Sequence, residues 1–177
     1  MSDVDAKKKT VHHTDLLIAP VSEGILILIA AFVGWAAQQP FVFASLGPTA
    51  YELVETPERP SARPYNIIAG HLIAVLAGFA ALWLTHASGA PPISLGTVPL
   101  RRISAAVVAV VLTVFVTLLA RATQPASLST TLLIALGIMQ SWKAGMIIMA
   151  SVLLMTVIGE PLRRWRARQR KHASQGA

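Results

Sequence analysis

Two short apolar segments, each containing a proline, most constrain how this chain can fold. They cover Ala44–Val54 and Ala122–Leu133, and each lies between two longer apolar runs. Both begin with small and polar residues, where an uninterrupted membrane span would be apolar, and a helical pattern follows these residues. Because discontinuous membrane helices surround the binding sites of many transporters, the two segments indicate broken helices in a small membrane transporter or channel.

The composition indicates an integral membrane protein. Of the 177 residues, 54% are hydrophobic and 13% charged, and the mean hydropathy of +0.61 is too high for an ordinary soluble domain. The absence of cysteine excludes disulfides, thiolate metal sites and a thiol nucleophile. The N-terminus is polar up to Leu16 and lacks the features of a signal peptide, so we expect it to remain on the mature protein.

Four apolar runs are long enough to cross a bilayer of about 30 Å as helices. The two short segments fit either a tilted crossing or a re-entrant half-helix. We predict an all-α polytopic bundle of four long transmembrane helices and two shorter broken helices, which makes six membrane segments; the alternative is four spans with two re-entrant segments. The long runs are Leu16–Ala37, Tyr65–Thr85, Ile103–Ala120 and Lys143–Ile158.

The positive-inside rule is compatible with both topologies. With four or with six crossings, most lysine and arginine residues lie on the cytoplasmic side when both termini do. The few residues between Ala120 and Pro125 favour six, because so short a limb could not dip into the bilayer and leave room for a helix to return. We expect a multi-pass protein of the cell inner membrane with cytoplasmic N- and C-termini.

The two halves of the chain repeat one pattern of long, short and long apolar segments. An offset of 77 residues aligns Pro48 with Pro125. Three crossings in each half would relate the halves by inverted topology, with the site between them. The predicted divisions are an N-terminal tail (1–15), membrane repeat 1 (16–86), a linker (87–102), membrane repeat 2 (103–160) and a basic tail (161–177).

The candidate site lies where the two broken helices begin. Pro48 and Pro125 favour helix initiation, and a helix N-terminus with neutral donors around it suits a small anion. The alternative is that these segments are kinks whose small residues allow close packing. The predicted substrate-binding residues are Gly47, Pro48, Thr49, Asn66, His71, Arg121, Gln124, Pro125 and Ser127.

Several polar residues near these segments have two possible roles. His71 is either a structural histidine bonded to a backbone carbonyl or a group facing a pore. Asn66 can cap a helix or form a hydrogen bond across the bundle. Glu23 lies either inside the bundle, paired with a base such as His71, or at headgroup depth, and Glu52 fits a capping box with Thr49. Arg121 adds positive potential near the second segment or simply extends towards the membrane surface.

No pattern indicates an enzyme. The sequence has no phosphate-binding glycine loop, no nucleophile with a visible base, no plausible metal-binding cluster and no indication of a cofactor. The basic residues concentrate at the chain ends, where the tail after the last span is expected to contact anionic lipid headgroups rather than nucleic acid. The expected partners are thus the lipid bilayer, a small inorganic anion and, for so small a bundle, further copies of the chain.

At these residues the chain resembles the HPP family, small integral membrane proteins named for a His-Pro-Pro motif. The resemblance covers Val42–Ile158. Where the family motif should fall, this chain has Gln124-Pro125-Ala126, and Tyr65 stands where arginine is expected. The resemblance is best in the first half, where the family pattern falls on Gly47, Thr49, Ala50, Pro64, Asn66, Gly70 and His71.

Members of this family have been linked to nitrite transport in plastids and cyanobacteria, so the resemblance implies a nitrite- or nitrate-like anion. We therefore expect a transporter or channel for a small monovalent anion, with its site between the two repeats. The competing interpretation is a non-transporting membrane scaffold or accessory subunit, in which the same small residues are packing surfaces.

Overall fold

The computed structural model describes residues 13–175, and that part of the chain contains six α-helices and no strand. This confirms the predicted helical bundle with four long and two short helices. Most of the predicted N-terminal tail, residues 1–12, lies outside the described part. The helices are α1 (His13–Ala37), α2 (Leu46–Glu55), α3 (Pro64–Leu84), α4 (Leu100–Leu119), α5 (Ser127–Ala135) and α6 (Trp142–Gln175).

The four long helices are the ones apolar and long enough to cross a membrane. Proline precedes or opens two of them, since Pro64 is the first residue of α3 and Pro99 comes directly before α4. Helices α1, α3 and α4 are each followed within two residues by a residue with left-handed backbone. These residues are Gln38, His86 and Arg121, respectively. In each case the N–H of the following residue reaches back to a carbonyl of the last turn, which stops the helix sharply.

Helix α3 is the centre of the bundle. It packs against α4, α5 and α6, and 50% of its span is buried, against 22% for α1. Two glycines allow its neighbours to approach: a Cβ at Gly70 would lie 2.7 Å from the Cβ of Gln124, and one at Gly78 would lie 2.9 Å from that of Ile134. Small residues at such crossings are typical of membrane bundles.

Contacts between helix ends define two ends of the bundle. At the first, which we call the tail end, α2 ends, α3 begins and α4 ends; Tyr65 donates to the Ala120 carbonyl at 3.0 Å, and Arg170 of α6 contacts Glu55. At the second, which we call the linker end, the segment 85–99 joins α3 to α4, and the Ile93 N–H donates to the Leu136 carbonyl just after α5 at 3.2 Å.

Each short helix completes a crossing that a non-helical limb begins. Helix α5 has 9 residues and α2 has 10, so each is about 14–15 Å long, half of a bilayer core. Residues 120–126 run inward from the tail end, and α5 then reaches the linker end. Residues 38–45 and α2 make the reverse passage, because Glu23 of α1 lies beside α2's C-terminal half. The fold is therefore the six-segment arrangement, three in each repeat.

The proline offset of 77 residues is not the structural register of the short helices. Pro48 is the third residue of α2, whereas Pro125 lies in the turn two residues before α5. The two first residues, Leu46 and Ser127, are 81 positions apart. The limb before α5 is thus shorter than the limb before α2, and the repeat is one of element order rather than of residue spacing.

A buried arginine holds the C-terminal end of α5. Arg102, in the first turn of α4, is fully buried and donates to the Ala135 carbonyl at 3.3 Å and to Gln140 Oε1 at 2.6 Å. It also donates to the carbonyls of Ala90 and Pro91 in the linker. A guanidinium suits this position because it carries five donors in a fixed plane and favours the negative end of a helix.

A second buried arginine holds the C-terminal end of α2. Arg166, which is 1% exposed, donates to the Val54 carbonyl at 3.3 Å and lies 3.7 Å from Glu55. Arg163 donates to the Pro57 carbonyl at 2.8 Å, and Arg170 contacts the backbone and carboxylate of Glu55. Helix α6 therefore continues through the predicted basic tail, and three of the tail's arginines bind the C-terminal end of α2 and the connection that follows it.

We call the contacts of Arg102 at the end of α5 the anchor on α5. They predict that substituting two glycines with left-handed backbone destabilises the protein to different extents. Both Gly96 and Gly137 have positive φ, of 81° and 86°. A Cβ at Gly96 meets nothing within 4 Å, whereas one at Gly137 would lie 2.6 Å from the Arg102 guanidinium carbon. We expect Gly96→Ala to cost about 1 kcal/mol from backbone strain alone, and Gly137→Ala to cost about 2 kcal/mol more because Arg102 must leave its acceptors. Thermal unfolding in detergent measures both, and equal losses would contradict the anchor.

We call the contacts of Arg166 at the end of α2 the anchor on α2. They predict that the arginines of the basic tail contribute unequally to stability. Arg166→Met should destabilise the protein by about 2 kcal/mol, because it leaves the Val54 carbonyl without its donor and weakens the hold on Glu55. Arg168→Met is the matched control, since Arg168 is exposed in the same helix, and it should cost less than about 0.5 kcal/mol. Unfolding midpoints of both variants in one detergent decide this. A large loss for Arg168→Met would mean that the tail stabilises the fold in some other way.

Candidate functional site

The N-terminal ends of α2 and α5 meet inside the bundle. Thr130 in the first turn of α5 donates its hydroxyl to Ser45 Oγ at 2.8 Å, and Ser45 is the N-cap residue of α2. Both side chains are fully buried. This contact joins residues 85 positions apart, one from each repeat, and we call it the helix-end junction.

Hydrogen bonds within the protein already use most N–H groups of the first turn of α5. The Ala126 N–H donates to Gln124 Oε1 at 3.1 Å, and the next N–H groups, of Ser127 and Leu128, donate to the carbonyls of Gln124 and Pro125, both at 3.1 Å. In α2 the Leu46 N–H donates to the Phe43 carbonyl at 3.0 Å. The bare cluster of N–H groups expected from the sequence is therefore reduced.

A cavity of about 600 Å³ lies beside the helix-end junction and extends to Arg59 at the tail end. Both short helices contribute to its wall, as the sequence predicted for a site shared by the repeats. Of the predicted site residues, the cavity brings together Gly47, Pro48 and Pro125. The rest of its lining is Glu23 from α1, Tyr51 and Glu52 from α2, Thr56 and Arg59 from the following connection, and Ala126 and Ser129 at the start of α5.

Three donors near or in this cavity have no partner in the described part of the chain. The Gln124 side chain is 2% exposed, and its Nε2 makes no hydrogen bond. Neither the Gly47 N–H nor the Ser129 hydroxyl has an acceptor among residues 13–175. A buried amide without an acceptor costs free energy, so Gln124 is the residue whose surroundings most indicate a missing ligand.

Glu52 lies next to Gln124. Its side chain is 9% exposed, it interacts with Gln124, Ser61 and Arg59, and its Oε2 has no hydrogen-bond partner within the described chain. The capping-box interpretation of Glu52 is wrong, because the N-cap residue of α2 is Ser45 and not Thr49. The Thr49 hydroxyl donates instead to the Ser45 carbonyl at 2.8 Å. Glu52 instead belongs to the wall of the cavity.

Two predicted residues of α3 have structural contacts. Asn66 Nδ2 donates to the Thr123 carbonyl at 3.1 Å, which joins α3 to the limb before α5. His71 is fully buried, and its Nδ1 lies 2.8 Å from the Ile67 carbonyl, so this nitrogen is the donor. His71 Nε2 has no partner in the described residues. Helix α3 thus supports the limb through Asn66 and presents one unused acceptor.

The other predicted site residues lie around the cavity rather than in its lining. The Ser127 hydroxyl donates to the Gln124 carbonyl at 2.6 Å and fixes the turn before α5. The Thr49 hydroxyl is used within α2. Arg121 is exposed at the tail end, directly after α4. Glu23, for which a basic partner was one possibility, lines the cavity near Glu52 and Glu55.

Sequence reasoning missed Ser45 and the two buried arginines. Thr130 was one of several hydroxyl donors considered for its segment, but Ser45, which precedes the Gly-Pro pair, was not singled out. Arg102 was placed in the linker and Arg166 in a lipid-facing tail because arginine is rarely buried. The position of Arg102 next to a helix start after Pro99 is a local signal, but the acceptors that join it to the end of α5 and to Gln140 are 33 and 38 residues away.

Comparison with known families supplies the remaining information. The family model described as HPP, transmembrane region, matches residues 8–171. Comparisons with curated proteins and with solved structures found no match. The match includes helices α1 to α5, α6 as far as Lys171, the helix-end junction and the residues that line the cavity. The chain therefore belongs to the HPP family of transmembrane proteins.

Proposed function

We propose that this protein is a membrane transporter or channel that passes a small monovalent anion, of the nitrite or nitrate kind, through the cavity beside the helix-end junction. The observation that carries the proposal is that the N-terminal ends of two broken helices, one from each repeat, meet in the bundle and line one cavity. Sites between inverted repeats, formed by half-helices, are the common arrangement in secondary transporters.

The donors in this region suit an anion of three or four atoms. The Gln124 amide, the Gly47 N–H and the Ser129 hydroxyl have no acceptor within the described chain. The positive ends of α2 and α5 point to the same region and favour negative charge there. Arg59 adds a cation to the wall nearer the tail end. Asn66 and Ser127 position the limb that carries Gln124.

The remaining groups have supporting roles in this proposal. Pro48 in the first turn of α2 and Pro125 just before α5 leave no N–H to satisfy. Thr49 stabilises the start of α2, and Arg121 attracts anions to the tail end. His71 presents Nε2 as an acceptor to the interior.

The membrane setting follows from charge and exposure. Both described ends of the chain lie at the tail end, and the proposed location is the cell inner membrane with this end in the cytoplasm. The outer side of α6, where Arg168 is exposed, would contact anionic lipid headgroups. The mostly exposed apolar faces of α1 and α4 would contact lipid or another copy of the chain in a homo-oligomer.

The proposal predicts which variant loses anion flux. Proteoliposomes with the wild type should take up nitrite or nitrate saturably and faster than empty liposomes. Gln124→Leu should lose most of this uptake, because it removes the unpartnered Nε2 while keeping a side chain of similar size. Thr156→Val is the matched control, since Thr156 is a buried polar residue whose hydroxyl bonds within α6, and it should keep its uptake.

Folding of each variant is checked by its elution and unfolding midpoint before uptake is measured. Uptake retained by folded Gln124→Leu would place the pathway elsewhere. Failure of the wild type to pass nitrite, nitrate or chloride would favour the non-transporting scaffold or accessory subunit.

A further inference from the structure

Glu52 differs from the other two carboxylates in its part of the chain. Glu55 contacts Arg166 and Arg170 at 3.7 and 3.3 Å, and Glu58 lies 3.7 Å from Arg170. Glu52 makes no such ion pair within the described residues, although it is more buried than either. A buried carboxylate in a membrane bundle without a cation in contact is costly and indicates a functional position.

The position of Glu52 connects it with the proposed anion site. It lies on α2 in the wall of the cavity, and it interacts with Gln124, which precedes α5. The two side chains interact, yet neither Glu52 Oε2 nor Gln124 Nε2 makes a hydrogen bond of ordinary geometry with a described residue. An ionised Glu52 and a bound anion would therefore compete for the same amide and would repel each other.

Protonation of Glu52 removes this competition. The neutral carboxyl no longer repels an anion and offers an O–H donor beside the Gln124 amide. We infer that Glu52 takes up a proton when the anion binds at Gln124, so that the protein carries anion and proton together; this inference rests on the proposed function.

The step is balanced. A proton from the cavity binds to the Glu52 carboxylate, the anion binds beside it, and both leave on the other side of the membrane, where the carboxylate forms again. One negative and one positive charge move together, so the coupled transport is electroneutral.

The other charged and titratable groups around Glu52 do not take this role in the described structure. Their positions are Glu23 on α1 in the cavity wall, Arg59 after α2 in the same wall, His71 on α3 next to the Gly70 that contacts Gln124, and Arg166 and Arg170 on α6, whose guanidinium groups hold Glu55. Glu23 is the other carboxyl of the cavity, but it interacts with Glu55 rather than with Gln124.

The test measures proton and nitrate entry in the same proteoliposomes. Nitrate is the probe, because nitrous acid crosses bilayers unaided and would carry protons itself. Potassium and valinomycin hold the membrane potential at zero, a trapped dye reports internal pH, and nitrate uptake is assayed in parallel. An inward nitrate gradient should acidify wild-type liposomes and leave empty liposomes unchanged.

The variants separate coupling from transport. In Glu52→Gln we expect nitrate uptake without acidification, and an uptake rate that no longer depends on pH. Glu58→Gln, a carboxylate of the same region outside the cavity, should keep both signals. Acidification by Glu52→Gln at the wild-type ratio to nitrate uptake would overturn the inference.

A binding measurement decides the case in which Glu52→Gln is folded but takes up no nitrate. Nitrate should raise the unfolding midpoint of the wild type more at acidic than at alkaline pH, and that of Glu52→Gln equally at both. A pH dependence retained in Glu52→Gln would overturn the inference. Wild-type uptake of nitrate without acidification would also overturn it but leave the proposed function intact, whereas no uptake of any anion by the wild type would reject the proposed function itself.

Discussion

The fold depends on satisfying the open ends of two helices that stop inside a membrane bundle. In hydrocarbon, an unbonded carbonyl or N–H has no water to replace its partner, so a helix of 9 or 10 residues needs acceptors and donors from elsewhere in the chain. At the C-terminal ends these donors are Arg102 and Arg166, each fully or almost fully buried. Each arginine donates to a carbonyl in the last turn of a short helix, that of Ala135 for Arg102 and that of Val54 for Arg166, and thereby holds the end of that helix.

This arrangement gives each short helix a different environment at its two ends. The C-terminal ends lie at opposite ends of the bundle and carry guanidinium groups, whereas the N-terminal ends meet at Ser45 and Thr130. In the described part of the chain, Glu52, Gln124 and His71 lie in the interior, each with one buried polar atom that makes no hydrogen bond. Such groups are destabilising in an otherwise apolar bundle, which is a physical reason to expect them to bind something.

The sequence predicts the elements well and their connections less well. Hydropathy is a property of continuous segments, so the four long helices and the two short ones could be located, and the short limb after Ala120 correctly favoured six segments over re-entrant ones. The register of the short helices could not be obtained from proline alone, because Pro48 lies inside α2 while Pro125 precedes α5. The burial of Arg102 and Arg166 depends on acceptors 33 to 112 residues away, and local patterns do not contain that information. Likewise, Glu52 has the spacing of a capping box with Thr49. Only the structure shows that Ser45 is the N-cap residue and that Glu52 lines the cavity.

The resemblance drawn from the sequence places the family's motif histidine at position 124, where this chain has glutamine. A histidine there, as in the motif for which the family is named, would place a second group able to carry a proton or a positive charge next to Glu52. Glutamine can donate to an anion or to Glu52, but it cannot ionise, so it cannot compensate the charge of Glu52. In the proposed mechanism the charge balance in this chain therefore falls on Glu52 itself, because Arg59 interacts with Glu52 without forming an ion pair in the described structure, and His71 is directed to the Ile67 carbonyl. With glutamine rather than histidine at position 124, this chain has one proton-binding group fewer beside Glu52, but it keeps the hydrogen-bond donor that an anion needs.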